Sequence, residues 1–108
     1  MEIYFSGHAG ILLREKDITI AIDPFLEGTF YWHGVLEKYL GNSPWIGNGK
    51  ADFIEKFSSK INAIAITHAH GDHFDYDSVV QIMGKNQEIE LIAPHPVINF
   101  VKAADAID

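Results

Sequence analysis

Four side chains able to hold metal fall close together in mid-chain. They are His68, His70, Asp72 and His73, in the run Thr67-His68-Ala69-His70-Gly71-Asp72-His73. Imidazole is the commonest protein ligand for transition metals, and a carboxylate adds a harder oxygen donor. His68 and His70, two apart, can point the same way and share one ion. Asp72 and His73, adjacent, can turn toward a second. Gly71 can adopt dihedrals closed to other residues, so the loop can fold tightly enough for its ligands to converge. Paired ions in such sites lie about 3.5–4 Å apart, a separation that ligands from one tight loop can serve. Two ions so placed activate a shared water and polarise a carbonyl or phosphoryl group. The competing reading is a solvated loop with chance histidines. The apolar strand directly before the run argues against it.

That strand is Ile61 to Ile66, a short, nearly continuous apolar stretch of the kind buried on both faces of a sheet. After the loop, Asp75 or Asp77 can cap a helix whose apolar face is Tyr76, Val79, Val80 and Met83, with Gly84 ending it. A buried strand on one side and a capped helix on the other would hold the ligands in place. Upstream, Glu2–Ser6, Ile11–Leu13 and Ile18–Ile22 read as three strands of an antiparallel meander. Gly7-His8-Ala9-Gly10 makes the first turn, Arg14–Asp17 the second, and Asp23-Pro24 stops the third strand. His8 has two readings, a turn residue bonded to backbone or a group beside the metal loop. Asp23 ends a strand, where site residues collect, or is a turn former before proline.

Residues 25–50 are irregular and aromatic, with Phe25, Phe30, Tyr31, Trp32 and Trp45, and one short helix is expected near His33–Leu40. The segment reads as a cover over a site mouth, a surface for a partner subunit, or locally packed aromatics. Ala51–Phe57 is a further helical turn. Downstream, Glu90–Ala93 reads as a strand, Pro94-His95-Pro96 as a rigid break, and Val97–Ala104 as a closing helix.

The motif Thr67–His73 resembles the His-x-His-x-Asp-His signature of the metallo-β-lactamase superfamily of metal-dependent hydrolases. Gly7-His8-Ala9-Gly10 and Ile20-Ala21-Ile22-Asp23-Pro24-Phe25 are similar to two segments of its lactonase-like branch. The resemblance implies an α+β fold, a four-layer αββα sandwich with metals at one edge of two sheets. It implies His68 and His70 on one ion, Asp72 and His73 on the other, and Asp72 also orienting the nucleophilic water. Asp23 becomes a carboxylate near the ions that orients a ligand histidine. His8 is not among the family's usual ligands, and beside the loop it would hydrogen-bond substrate or a ligand. The cofactors would be two divalent ions, zinc first, with manganese or iron as alternatives. The substrate would be a small molecule: a lactone, an ester or a phosphoester.

Sandwiches of this kind often take about 200–250 residues as one domain. This chain has 108, read as a single N-terminal part, residues 1–108. Downstream ligands that the family pattern expects are missing, and a sheet built from these strands alone leaves one apolar face uncovered. Three explanations fit: the chain is a fragment of a longer protein, a natural half completed by a separate half-domain, or one of two copies that cover each other's sheets. Each predicts association through that face. The competing function is a non-catalytic metal-binding or interaction domain.

Composition bounds the rest. A hydrophobic share of 47% with 21% charged residues is that of a globular chain. No apolar run approaches the roughly 20 residues that span a bilayer, so no membrane role is expected. The net charge of −7 argues against nucleic acid, whose binding needs clustered Lys and Arg. With no cysteine, thiolate ligands and disulfides are excluded. The first residues lack the basic and apolar regions of a signal peptide, so cytoplasm is the expected compartment.

Overall fold

The computed structural model describes residues 1–7, 10–24, 26, 50–70 and 73–103. Five strands form one sheet in the order β1-β2-β3-β4-β5. They are β1 (Glu2–Gly7), β2 (Gly10–Glu15), β3 (Ile18–Ile22), β4 (Ala63–Ala65) and β5 (Glu90–Ile92). The first three pair antiparallel, as their short turns require. β3 with β4 and β4 with β5 are parallel, and the connections run through helices. Those helices are α1 (Lys50–Phe57), continued by a 3₁₀ turn at Ser58–Lys60, and α2 (Tyr76–Lys85); α3 (His95–Ala103) follows β5.

The pairing register aligns Tyr4, Leu12, Ala21, Ile64 and Leu91 in one row across all five strands. That row faces the helices. Leu12, Ala21 and Ile64 are buried with Phe53 and Ile54 of α1, Val79, Ile82 and Met83 of α2, and Val97 and Val101 of α3, while Tyr4 and Leu91 pack at the margin. Burying each large apolar side chain contributes about 1.5–3 kcal/mol.

The neighbouring rows point the other way. Ile3, Leu13, Ile20 and Ala63 share one, and Ile11, Ile22, Ala65 and Ile92 share the next. No described element covers them: Ile3 and Ile92 are each 58% exposed, and the others are only partly buried. The architecture is thus α+β, one helix layer on one face of a mixed sheet.

Several boundaries differ from expectation. β2 runs from Gly10 to Glu15, through Arg14 and Glu15 of the expected turn. β4 is only Ala63–Ala65. Asn62 before it exchanges hydrogen bonds with Thr19 through its N–H to Thr19 O and its Oδ1 from Thr19 N, each 2.8 Å. α2 passes through Gly84 to Lys85. Gly84 is exposed with open space where a Cβ would stand, and Asn86 closes the helix by donating to Ile82 O at 3.1 Å. α3 begins at His95 rather than after Pro96, because a proline in the first helical turn lacks only an N–H that would have no partner there. His95 is exposed at that helix start. The helix expected at His33–Leu40 and the aromatic segment around it lie outside the described residues.

Candidate metal centre

The register brings one set of strand ends together. β3, β4 and β5 run parallel, so Asp23, Ile66-Thr67 and Ala93 all leave the sheet at the same edge. β1 and β2 meet there too, with Gly7 opposite Gly10 after a shift in register past Phe5. The carboxyl edge of parallel strands is where ligands of open sheets bind.

Asp23 is 3% exposed and takes φ 46°, in the left-handed region. Aspartate is one of the few residues that tolerates it, at a cost below the roughly 1–2 kcal/mol that other side chains incur. Such strain concentrates at working sites. Its own N–H donates to Ala65 O at 2.8 Å, which locks the turn to the end of β4.

The carboxylate then gathers the ligand loop. Oδ1 accepts from Thr67 N–H at 2.7 Å, and Oδ2 accepts from Thr67 Oγ1 at 2.7 Å. Oδ2 also lies 2.8 Å from His73 Nδ1. Thr67 Oγ1 in turn lies 2.8 Å from His68 Nδ1. Beyond this point His70 O accepts from both His73 N–H (2.9 Å) and Phe74 N–H (2.8 Å).

Three imidazoles meet as a result. The His68 ring centroid is 4.6 Å from that of His70, edge to face, and 4.1 Å from that of His73. His73 is partly buried and His70 exposed. Asp72 and His8, both singled out from sequence, lie outside the described residues. Among the described residues, no group of three or more His, Asp or Glu side chains converges closely enough to hold an ion. The donor chemistry nevertheless suits a metal. The Nδ1 atoms of His68 and His73 are engaged by hydrogen bonds, which favours the ring proton at Nδ1 and makes Nε2 the ligating nitrogen.

Asp75 anchors the far end of the loop. It is 7% exposed and caps α2, with Oδ1 accepting from Ser78 N–H at 3.2 Å. Oδ2 accepts from Ser78 Oγ and from Leu26 N–H, the latter at 2.9 Å. The cap was legible from the sequence; the grip on Leu26 was not, because it spans 49 positions. Thr67 was also missed. Its only sequence signal was a hydroxyl placed between the strand and the first histidine. Beside the loop, Phe74, Tyr76 and Phe100 form an aromatic trio with centroids 6.1–6.5 Å apart, lining an open apolar hollow of about 470 Å³.

Comparison with known proteins gives the setting for this geometry. The family model described as "Beta-lactamase superfamily domain" matches residues 2–103. Similar curated proteins include a "UPF0173 metal-dependent hydrolase" of Bacillus thuringiensis, 27% identical over 94% of this chain, and one of Bacillus cytotoxicus, 29% identical over 94%. In each case the match covers 34% of the relative, so the chain spans about a third of the length of the curated relatives it matches. No solved structure matches it. No helix among the described residues is long and apolar enough to cross a membrane. The match across nearly the whole chain means that this protein belongs to the β-lactamase superfamily domain family.

Proposed function

We propose that this chain supplies the first metal-binding loop of a metal-dependent hydrolase acting on a lactone, ester or phosphoester. The observation that carries the reading is the imidazole cluster at the carboxyl edge of the sheet, with His68 and His73 both tied by Nδ1 toward Asp23. His68 and His70 would hold one divalent ion, and Asp72 and His73 a second. Zinc fits this nitrogen and oxygen donor set, as do manganese and iron. When bound, such a pair acidifies a water and polarises the group to be cleaved. The residues of this chain supply the framework: Asp23 and Asp75 fix the two ends of the loop, and Asp72 orients the attacking water.

The bare rows of the sheet bear on assembly. Ile3, Leu13, Ile20 and Ile92 form part of an apolar surface that a second half-domain or a second copy of the chain would cover. That partner would also complete the ligand set. We place the assembly in the cytoplasm, acting on a small molecule; the net charge of −7 disfavours nucleic acid.

The alternative is a non-catalytic metal-binding or interaction domain. Metal content per chain, together with hydrolysis of a generic ester and a phosphodiester by the native assembly, separates the two. Turnover that is lost on chelation and in His68→Ala supports the hydrolase. Bound metal without turnover, unchanged when a second half is added, supports the binding domain.

A further inference from the structure

Thr67 stands between the Asp23 carboxylate and the first imidazole of the loop. Its Oγ1 is 2.7 Å from Asp23 Oδ2 and 2.8 Å from His68 Nδ1. A hydroxyl has one hydrogen to give and lone pairs with which to accept. A carboxylate only accepts, so the hydroxyl hydrogen goes to Asp23. Oγ1 then faces His68 as an acceptor, and His68 Nδ1 must carry the ring proton. His73 meets the same carboxylate directly at 2.8 Å, so its Nδ1 carries the proton as well. A neutral imidazole has one N–H, so on both rings the proton sits at Nδ1 and Nε2 is the unprotonated nitrogen. The Thr67 N–H, 2.7 Å from Oδ1, holds the residue against the carboxylate from a second direction.

The geometry points to Thr67 as a positioning residue that relays Asp23 to His68. A single buried carboxylate thus sets the tautomer of one imidazole by contact and of another through a hydroxyl. The inference rests on the reading of His68 and His73 as ligands of different ions. It follows that Asp23 supports a ligand at each ion, and Thr67 supports a ligand at only one. Partners of this kind are worth about 10–100-fold in metal affinity. Because Thr67 is exposed, its share belongs near the low end, about 10-fold.

The test is the ring-nitrogen pattern of His68 and His73 in the metal-free full chain, read by long-range nitrogen–proton correlation spectra of isotope-labelled protein. Nδ1–H forms at both rings in the wild type and in Thr67→Ser support the relay. So does a Thr67→Val protein in which His68 alone loses that preference. An Nε2–H form at His68 in the wild type overturns it, whether or not any variant folds. An unchanged His68 in a folded Thr67→Val protein also overturns it. Zinc titration of the native assembly, with the same variants, keeps the two readings apart. Nδ1–H at both rings without zinc binding sustains the hydrogen-bond order and defeats the metal site. Zinc binding with His68 in the Nε2–H form sustains the site and defeats the relay.

Discussion

Asp23 Oδ2 lies 2.8 Å from His73 Nδ1, although 50 positions of chain separate the two residues. The contact exists because β3 and β4 pair in parallel and bring Asp23 and Thr67 out at one sheet edge. Asp23→Asn tests what the carboxylate does. Asparagine also tolerates the left-handed backbone at this position, so the turn is spared. The amide oxygen can accept at one side only, and the charge is gone. Metal affinity should fall about 10–100-fold at both ions, measured by zinc titration against a competing chelator.

Asp75→Ala should destabilise the fold rather than alter metal chemistry directly. Loss of the α2 cap costs about 0.5–2 kcal/mol. The Leu26 N–H, left without this acceptor, adds about 1–3 kcal/mol. Denaturant unfolding measures the sum. A change inside the error of that measurement would mean that neither the cap nor the Leu26 contact contributes.

Two isoleucines on opposite faces of the sheet should behave differently. Ile64 is 0% exposed in the helix-covered row, and Ile64→Ala should cost about 2–5 kcal/mol. Ile92 is 58% exposed on the bare face. Ile92→Lys should leave the monomer's stability within about 0.5 kcal/mol while weakening any association through that face. Denaturant midpoints and native mass by light scattering check the two halves of this prediction.

The Lys50 ammonium beside Asp77 holds that carboxyl below the usual carboxylate range, with Gln81 adding a further donor. A carboxyl whose folded pKa lies below its unfolded value contributes stability above the unfolded value. That contribution is lost as pH falls through the folded value. Asp77 is exposed, so the effect is small. Asp77→Asn should melt slightly lower than the parent at neutral pH, and the gap should close in acid. Thermal melts across that range provide the measurement.

Local pattern carried much of the fold. The alternation in β1 to β3 and the apolar spacing of α2 are properties of neighbouring residues, and both were readable. The ends of elements were less so, because tertiary partners decide them. β4 is shorter than its apolar run, although Asn62 before it still bonds to Thr19, and Pro96 fits inside the first turn of α3 instead of blocking it. At the site, the crowding of His68, His70 and His73 was plain from spacing. The Thr67 relay and the Asp75 grip on Leu26 were not, since each depends on chain segments more than forty positions apart meeting at one edge.

The central claim is that the loop from His68 to His73 grips metal. It is tested most directly by elemental analysis of the native assembly after equilibration with zinc and removal of free ion. Bound zinc in the parent that falls sharply in both His68→Ala and His73→Ala, with folding retained, is the predicted result. A folded parent that holds no more metal than either variant would contradict it.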